Sequence, residues 1–509
     1  MLMKGRIEQM RNRHFLYNTI ASLFCQLIGI ICGMLLPRLM ISGFGSELYG
    51  TTVSIAEFLG YISLLEGGIG GVARAALYKP LSEHDTNTLN LVLASVRQFF
   101  KKIAFIFIGY TLILACSFKY IASNYSLSWT FTFCLVFVIS LSNLAEYYMG
   151  ISNSILLHAD QRGYIIRLLQ SGTTIFNILL TCILIYYNCN ILSVKFSYCF
   201  LHIIRILILN EYVKKHYSIK EIPAQANYLK QKWDCLGQHI AYFLHSKTDF
   251  FVLTIFVTPL EVAVYSIYSY IMTSLVTLTG SFTAGSEAVF GNMLAQHETK
   301  RLMQFFDFIE FLIHFVVITI FTTGAIMIMP FIQLYTNTFT DAEYYRPIAA
   351  GLLLLAEGIY CLRQPYHQLT IAAGEFKSTK KAAFIEAGLN IILSCILVHK
   401  NGIIGIALAT VTAMIYRTIY YILYLSQHII KRKVCKFIKR WIVTLINVCT
   451  ILLCFYYLPL QVQEIQNYLE WIKSAIIVFC FSAIITSIFS LIFYRKEWNQ
   501  LIKKGNLNI

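Results

Sequence analysis

Charge is what this 509-residue chain has little of: Asp, Glu, Lys and Arg make up 13% of it, against 57% hydrophobic residues. A soluble globular domain carries nearer 25% charged residues, so the chain reads as a polytopic membrane protein, with a mean hydropathy of +0.64. Acids are the scarcer sign, 25 against 41 Lys and Arg, which leaves a net charge of +16. Catalytic and nucleotide motifs are missing too. The run GEFKSTK (374–380) lacks the second glycine and the Gly-Lys-Ser/Thr ending of a P-loop, which excludes ATP as the direct energy source. There is no HExxH and no nucleophile elbow. The 14 cysteines, among them Cys25, Cys182, Cys361 and Cys395, sit in apolar runs without metal-type spacing and read as reduced, small apolar side chains. No cofactor, no metal and no enzyme activity is expected. A cleavable signal is not expected either: Lys4, Arg6, Arg11 and Arg13 precede an apolar run too long for a signal-peptide core.

Long apolar runs are what is there. A spanning helix needs about 20 mostly apolar residues. Fourteen such stretches are predicted, at about 18–40, 51–73, 103–121, 127–149, 168–187, 191–211, 236–257, 261–283, 306–329, 347–369, 382–398, 404–426, 441–457 and 471–493. The fold class is all-α and integral to the membrane. The longest loops on the predicted outer side, near 330–346 and 458–470, are too short for a folded domain, which argues against an enzyme acting on that face. The predicted inner loops 74–102 and 212–235 are long enough for interfacial amphipathic helices. The work of this protein is therefore expected inside the membrane.

Lys and Arg collect at the N-terminus and in every second loop. Examples are Arg97/Lys101/Lys102, Lys214/Lys215/Lys220/Lys230/Lys232, Lys377/Lys380/Lys381, Lys431/Arg432/Lys433/Lys436/Lys439/Arg440 and Arg495/Lys496/Lys503/Lys504. The alternate loops hold only Arg346 and Lys400, with Lys119 at a helix edge. This is the positive-inside pattern, and it predicts both termini in the cytoplasm. It also accounts for the basic charge without nucleic acid.

An internal repeat divides the chain. NILLTCILIYYN (177–188) matches NIILSCILVHKN (390–401) without a gap, pairing Asn177 with Asn390, Cys182 with Cys395 and Asn188 with Asn401. At nearly the same offset, Ser46-Glu47-Leu48-Tyr49 has its counterpart in Leu260-Glu261-Val262, and Arg205 in Arg417. The predicted organisation is a six-helix lobe (1–212), a basic cytoplasmic linker (213–235), a second six-helix lobe (236–427), two additional helices (441–493) and a cytoplasmic tail (494–509). Six crossings return the chain to its starting side, so both lobes share one orientation. That is a transporter architecture, with the site between the halves near the midplane.

Charges at membrane depth are costly, roughly 2.5–3.5 kcal/mol on insertion scales, and mark functional sites by default. The first hairpin, Gly33 to Leu81, carries Arg38, Glu57, Glu66 and Arg74, and is predicted to be broken at Pro37 and at Glu66-Gly67-Gly68-Ile69-Gly70-Gly71. Broken helices survive at depth only against protein or a water-filled cavity, so this hairpin is expected to wall a cavity. Further candidates are Lys247, Asp249, Arg205, Arg363 and Arg417, the last two expected away from helix ends. Lys247 and Asp249 are two residues apart and should face different sides of a helix. Arg38, Arg74, Arg205, Arg363, Arg417 and Lys247 are candidate cavity cations. Asp249, Glu66 and Glu57 are candidate carriers of a proton or Na⁺. Competing explanations are snorkelling for Arg38 and Arg74, a structural hydrogen-bonded pair inside the bundle for Asp249 and exposure at a helix break for Glu66. Nothing identifies a partner for Glu57. His158, His202, His239 and His245 lack metal spacing and are given no role.

Several stretches resemble a known family. They are PRLMISGFGSELYGTTVSIAEFLGYISLLEGGIGGVARAAL (37–77), LLHADQRGYI (156–165), TDFFVLTIFVTPLEVAVYSIYSYI (248–271), SEAVFGNMLAQHETKRLMQFF (286–306), LRQPYHQLTIAAGEFKSTKKAAFIEAGLNIILS (362–394) and MIYRTI around Arg417. Together, over nearly the whole chain, they look like Wzx-type flippases, the polysaccharide transporter group of the multidrug/oligolipid/polysaccharide exporter superfamily. The resemblance implies two six-helix lobes, alternating access and a cationic cavity. The implied cargo is an undecaprenyl-diphosphate-linked oligosaccharide, flipped to the outer leaflet of a bacterial inner membrane for O-antigen or capsule assembly. Implied partners are a coupling proton or Na⁺, a polysaccharide polymerase and a chain-length regulator. Fourteen helices also suit the lipid flippases of this superfamily better than its drug exporters, which usually have twelve. One departure is that the spacing of cavity arginines in lipid II flippases is not matched. The competing expectations are a cation-coupled multidrug exporter of the same superfamily and a membrane-embedded polysaccharide polymerase or transferase.

Overall fold

The computed structural model describes residues 2–66, 69–220, 222–223, 247–283, 285–457 and 465–502, with no side-chain description for 2–23, 376–377 and 500–502. The described residues form helices joined by short turns, with no strand among them. Contacts divide the chain into two compact units, 1–263 and 264–509.

The first unit begins with α1 (Leu2–Gly60), two helical limbs joined at a bend. The helix runs through Pro37 and turns at Gly45, whose φ of 82° and ψ of 163° suit only a residue without a Cβ. The break predicted at Pro37 is absent, and the bend at Gly45 falls in the turn between the predicted spans 18–40 and 51–73. Proline removes one helical hydrogen bond but leaves φ helical, whereas the Gly45 backbone leaves helical space altogether. A 3₁₀ turn (Tyr61–Glu66) follows α1 and leads to α2 (Ile69–Glu83). Gly67 and Gly68 lie outside the described residues. Next come α3 (Thr86–Ile121), α4 (Trp129–Ala145), a π turn (Glu146–Gly150), α5 (Ile151–Ala159), α6 (Gly163–Tyr186), α7 (Ile191–His216) and α8 (247–256). Asp85 caps α3, accepting from the Thr88 hydroxyl and from the Thr88 and Asn87 amides, which hold its carboxyl below the usual range. α1 packs on α6, α4 on α3 and α7, and α2 on α3 and α5. The core between them is aliphatic and aromatic, centred on Leu59, Val92, Phe100, Phe107, Phe118 and Leu135.

The second unit takes most of α9 (Pro259–Gly280), then α10 (Ser286–Ala295), α11 (Thr299–Thr336), α12 (Pro347–Leu362), α13 (Gln364–Ala372), α14 (Phe376–Tyr424), α15 (Val434–Tyr457), α16 (Tyr468–Phe493) and α17 (Arg495–Ile502). α14 bends at Gly402 (φ 52°, ψ −130°), so it is two helices folded back on one another. Their close approach needs Gly405: a Cβ there would lie 2.4 Å from the Leu397 carbonyl oxygen. α11 packs on α12, α15 and α16, α12 on α14, and α10 on α13.

Ten helices among the described residues are long and apolar enough to cross a bilayer. One of them, 378–429, bent at Gly402, holds the two predicted spans 382–398 and 404–426; another, 24–66, bent at Gly45, covers most of 18–40 and 51–73, the end of the latter lying in α2. The predicted span 347–369 is α12 and α13, divided at Arg363. That at 236–257 is described only from residue 247. The first segment of the sequence repeat ends at Asn188 with φ 54°, and the chain turns one residue past the second segment, at Gly402 with φ 52°. The paired Asn177 and Asn390 are both buried, at 4% and 0% exposure.

Candidate transport site

In the first unit the bend at Gly45 aims the second limb of α1 along α8. Gly50 sits against the start of α9, where a Cβ would fall 1.9 Å from the Pro259 carbonyl oxygen. From there the two helices meet in antiparallel register. Thr254 Oγ1 donates to Ser54 Oγ (2.9 Å), which shares a hydrogen bond with the Tyr125 hydroxyl (2.7 Å). Phe58 stacks on Phe251 with ring centroids 5.4 Å apart. Lys247 Nζ donates to Glu57 Oε2 at 2.6 Å, and the Tyr61 hydroxyl reaches the Lys247 carbonyl at 3.3 Å. On α1 these positions recur every three or four residues, one face of a helix. Glu57 thus has a partner that the sequence did not name. Asp249 is buried two residues beyond Lys247.

A second cluster joins two more predicted residues through neighbours in sequence. Glu146 accepts from Arg205 Nη2 (2.7 Å) and His202 Nε2 (3.0 Å). The adjacent Tyr147 donates to Glu66 Oε1 at 2.5 Å. The π turn directs these side chains to different sides, and Gly150 leaves room for the Glu146 carboxylate, 2.9 Å from where a Cβ would stand. His202, given no role from spacing, therefore belongs to an ion-pair network. Arg38 lies half-buried on the first limb of α1, and Arg74 is exposed on α2.

In the second unit Arg363 and Arg417 share Glu386. Arg363 Nη1 lies 2.7 Å from Oε1 and Arg417 Nε 3.8 Å from Oε2, with all three residues 5–6% exposed. Two guanidiniums against one carboxylate leave one net positive charge among the three. Arg417 also donates to the Thr379 carbonyl (3.1 Å) and the Tyr421 hydroxyl (3.0 Å), and so ties the two limbs of α14 together. Tyr360 and Tyr421 lie under the two guanidinium planes at 5.1 and 4.7 Å. Arg363 was expected away from helix ends but caps α12, because the chain turns there into α13 with Pro365 in its first turn. Glu357 is half-buried on α12, and His367 on α13 meets the Tyr421 ring edge-on.

A third network was missed. Glu310, fully buried on α11, accepts from Arg432 (2.7 Å) and from the Tyr366 hydroxyl (2.7 Å), with Arg440 at 3.2 Å. Arg432 also reaches Asp307 at 3.1 Å. Within the basic run 431–440 the four lysines are exposed while both arginines are buried at about 5% exposure. The positive-inside reading of that run therefore fits the lysines, and the arginines clamp α15 to α11. Glu146, Glu310 and Glu386 all lie inside predicted spans, so the rule that flagged Glu57 reaches them when applied to every span.

No protein-family model and no curated protein matches the sequence. Solved structures do match the fold. The chain is similar to the lipid II flippase MurJ in its inward closed conformation, with a TM-score of 0.70 at 18% identity, over 94% of this chain and 99% of that one. The chain shares the fold of that structure. Two further likenesses agree. An inward-facing multidrug resistance MATE family transporter of the MOP superfamily gives a TM-score of 0.58 at 14% identity, over 80% and 98% of the two chains. The MATE multidrug transporter DinF-BH in complex with R6G gives 0.60 at 14%, over 83% and 97%. These are folds of transporters and of a flippase, not of enzymes.

Proposed function

We propose that the chain flips undecaprenyl-diphosphate-linked oligosaccharide repeat units from the cytoplasmic to the outer leaflet of a bacterial inner membrane, by ion-coupled alternating access, for O-antigen or capsule assembly. The observation that carries this reading is the extent of the likeness. MurJ accounts for 94% of the chain, whereas the two multidrug transporters account for 80% and 83%, nearly their own full length. The drug-exporter fold thus leaves about a fifth of the chain over. The Wzx-like motifs favour a polysaccharide cargo over lipid II. The lysine-rich loops favour cytoplasmic termini, and a polysaccharide polymerase and a chain-length regulator are the expected neighbours.

The physics suits such cargo. A hydroxyl moved unpaired into hydrocarbon costs roughly 4–8 kcal/mol, and an oligosaccharide has many. A wet, polar path takes the headgroup while the prenyl chain stays in lipid. The diphosphate is matched by Arg363 and Arg417, whose net positive charge and forked donors suit phosphate. Arg38, Arg205, Lys247 and Arg74 are the further cations assigned to the cargo, and Asp249, Glu66 and Glu57 the carriers of the coupling proton or Na⁺. An inside-negative potential of about 100 mV favours outward anion movement by roughly 2.3 kcal/mol per charge.

The second reading is a multidrug exporter, favoured by the likeness to the two MATE structures. Proteoliposomes separate the two readings. Under our proposal, purified protein moves a fluorescent undecaprenyl-diphosphate oligosaccharide between leaflets, and Arg363→Lys with Arg417→Lys slows this about tenfold or more. Transport of a cationic dye with no lipid movement would replace it with the exporter.

A further inference from the structure

A basic hollow and an apolar groove meet on one side of the first unit, and neither is lined by a residue of the ion-pair clusters described above. Arg97 and Lys101, one turn apart on α3 and both half-buried, line a hollow of about 260 Å³ together with Lys220. Asn90 builds its back wall. Its buried amide donates to the Ser218 carbonyl (3.1 Å) and accepts from the Lys220 N–H (3.1 Å), which fixes the segment after α7 across the flank of α3. Among the described residues, the lining holds three cations and no carboxylate.

The ammonium of Lys101 lies over the Tyr148 ring at 5.2 Å. Tyr148 in turn lines a groove of about 420 Å³ between α3, α4 and α7, walled by Phe105, Ile108, Met149, Phe196 and Phe200. Residues 97, 101, 105 and 108 follow one another at helical spacing, so hollow and groove lie on one stripe of α3. From Arg97 to Ile108 the helix rises about 16 Å, close to half the roughly 30 Å hydrocarbon thickness. Phe105, Phe196 and Phe200 are 67%, 55% and 58% exposed, so the groove opens sideways to lipid.

We propose that this hollow and groove seat one anionic phospholipid of the surrounding bilayer, its phosphate on Arg97, Lys101 and Lys220 and one acyl chain along the groove. Charge complementarity selects the headgroup, since clustered Lys and Arg at the edge of a span attract anionic lipid, and the cation–π contact of Lys101 holds the ammonium where hollow and groove join. The groove is lined by apolar side chains and Tyr148, which suits an acyl chain rather than a sugar.

Native mass spectrometry of the full-length protein tests this, with phosphatidylglycerol and phosphatidylcholine of matched chains as probes. Phosphatidylglycerol is expected to be retained about tenfold more than phosphatidylcholine. Arg97→Gln with Lys101→Gln removes that preference. Ile108→Trp, which fills the groove, lowers retention of both lipids, and Lys102→Gln, an exposed lysine outside the lining, changes neither. Should the double variant fail to fold, Lys220→Gln, at an exposed position, is expected to lower the preference by itself. Equal retention of the two lipids by the unaltered protein, or a preference that survives these substitutions, overturns the proposal. So does undecaprenyl diphosphate displacing phosphatidylglycerol from the same residues, which would make the seat a cargo site.

Discussion

Lys247 and Glu57, 190 positions apart in the chain, form a 2.6 Å ion pair that closes the antiparallel seam between α8 and the second limb of α1. Neither charge has an apolar substitute that leaves the other satisfied. Lys247→Met or Glu57→Gln alone is expected to cost about 1.5–3 kcal/mol, the range for a hydrogen bond to a charged group. The double variant is expected to cost less than the sum of the singles, read as melting temperature in detergent. Strict additivity would mean that the pair contributes no coupling.

In the proposed mechanism Asp249 carries the coupling ion. Transport by Asp249→Asn is expected to lose its dependence on pH or on Na⁺ while the protein still folds. The check is the initial flipping rate across a pH series and a Na⁺ series. An unchanged dependence removes Asp249 from that role.

Glycine is required where backbones touch. Gly50→Ala places a Cβ 1.9 Å from the Pro259 carbonyl oxygen, and the backbone has to move. Its expected cost is several kcal/mol and a sharp fall in folded yield. Gly45→Ala meets strain rather than crowding, of order 1–3 kcal/mol at such a φ. Gly109→Ala, inside α3 with nothing within 4 Å, is expected to be neutral or slightly stabilising. Equal folded yields for Gly50→Ala and Gly109→Ala would contradict the packing described.

Two kinds of basic residue share the run before and inside α15. Arg432→Gln leaves Glu310 buried beside one remaining guanidinium and is expected to destabilise by about 3–5 kcal/mol. Lys433→Gln, on the exposed side, is expected to change stability by less than about 0.5 kcal/mol. Thermal unfolding of the two variants side by side checks the contrast.

Much of the fold is legible in the sequence, because a membrane helix announces itself by length and apolarity. The bend at Gly402 fell between two predicted spans for that reason. So did the bend at Gly45, while the separate break expected at Pro37 does not occur, because proline removes one hydrogen bond but leaves φ helical. The buried cations Arg363 and Arg417 were flagged by depth, and Arg417 also by its repeat counterpart Arg205. Their shared carboxylate, Glu386, was not, because ion pairing across helices joins residues whose separation carries no periodic signal. Arg432 and Arg440 were hidden in a lysine cluster that topology already explained. Only the fold separates side chains that face lipid headgroups from those that turn inward.

The most direct test of the proposed activity is a comparison of lipids and surface polysaccharide from cells with and without this gene. The account predicts that, without it, single oligosaccharide repeats on prenyl diphosphate accumulate sealed in the cytoplasmic leaflet and the surface polymer disappears. Repeat units reaching the outer leaflet in those cells, or unchanged lipids accompanied by altered drug sensitivity, would contradict it.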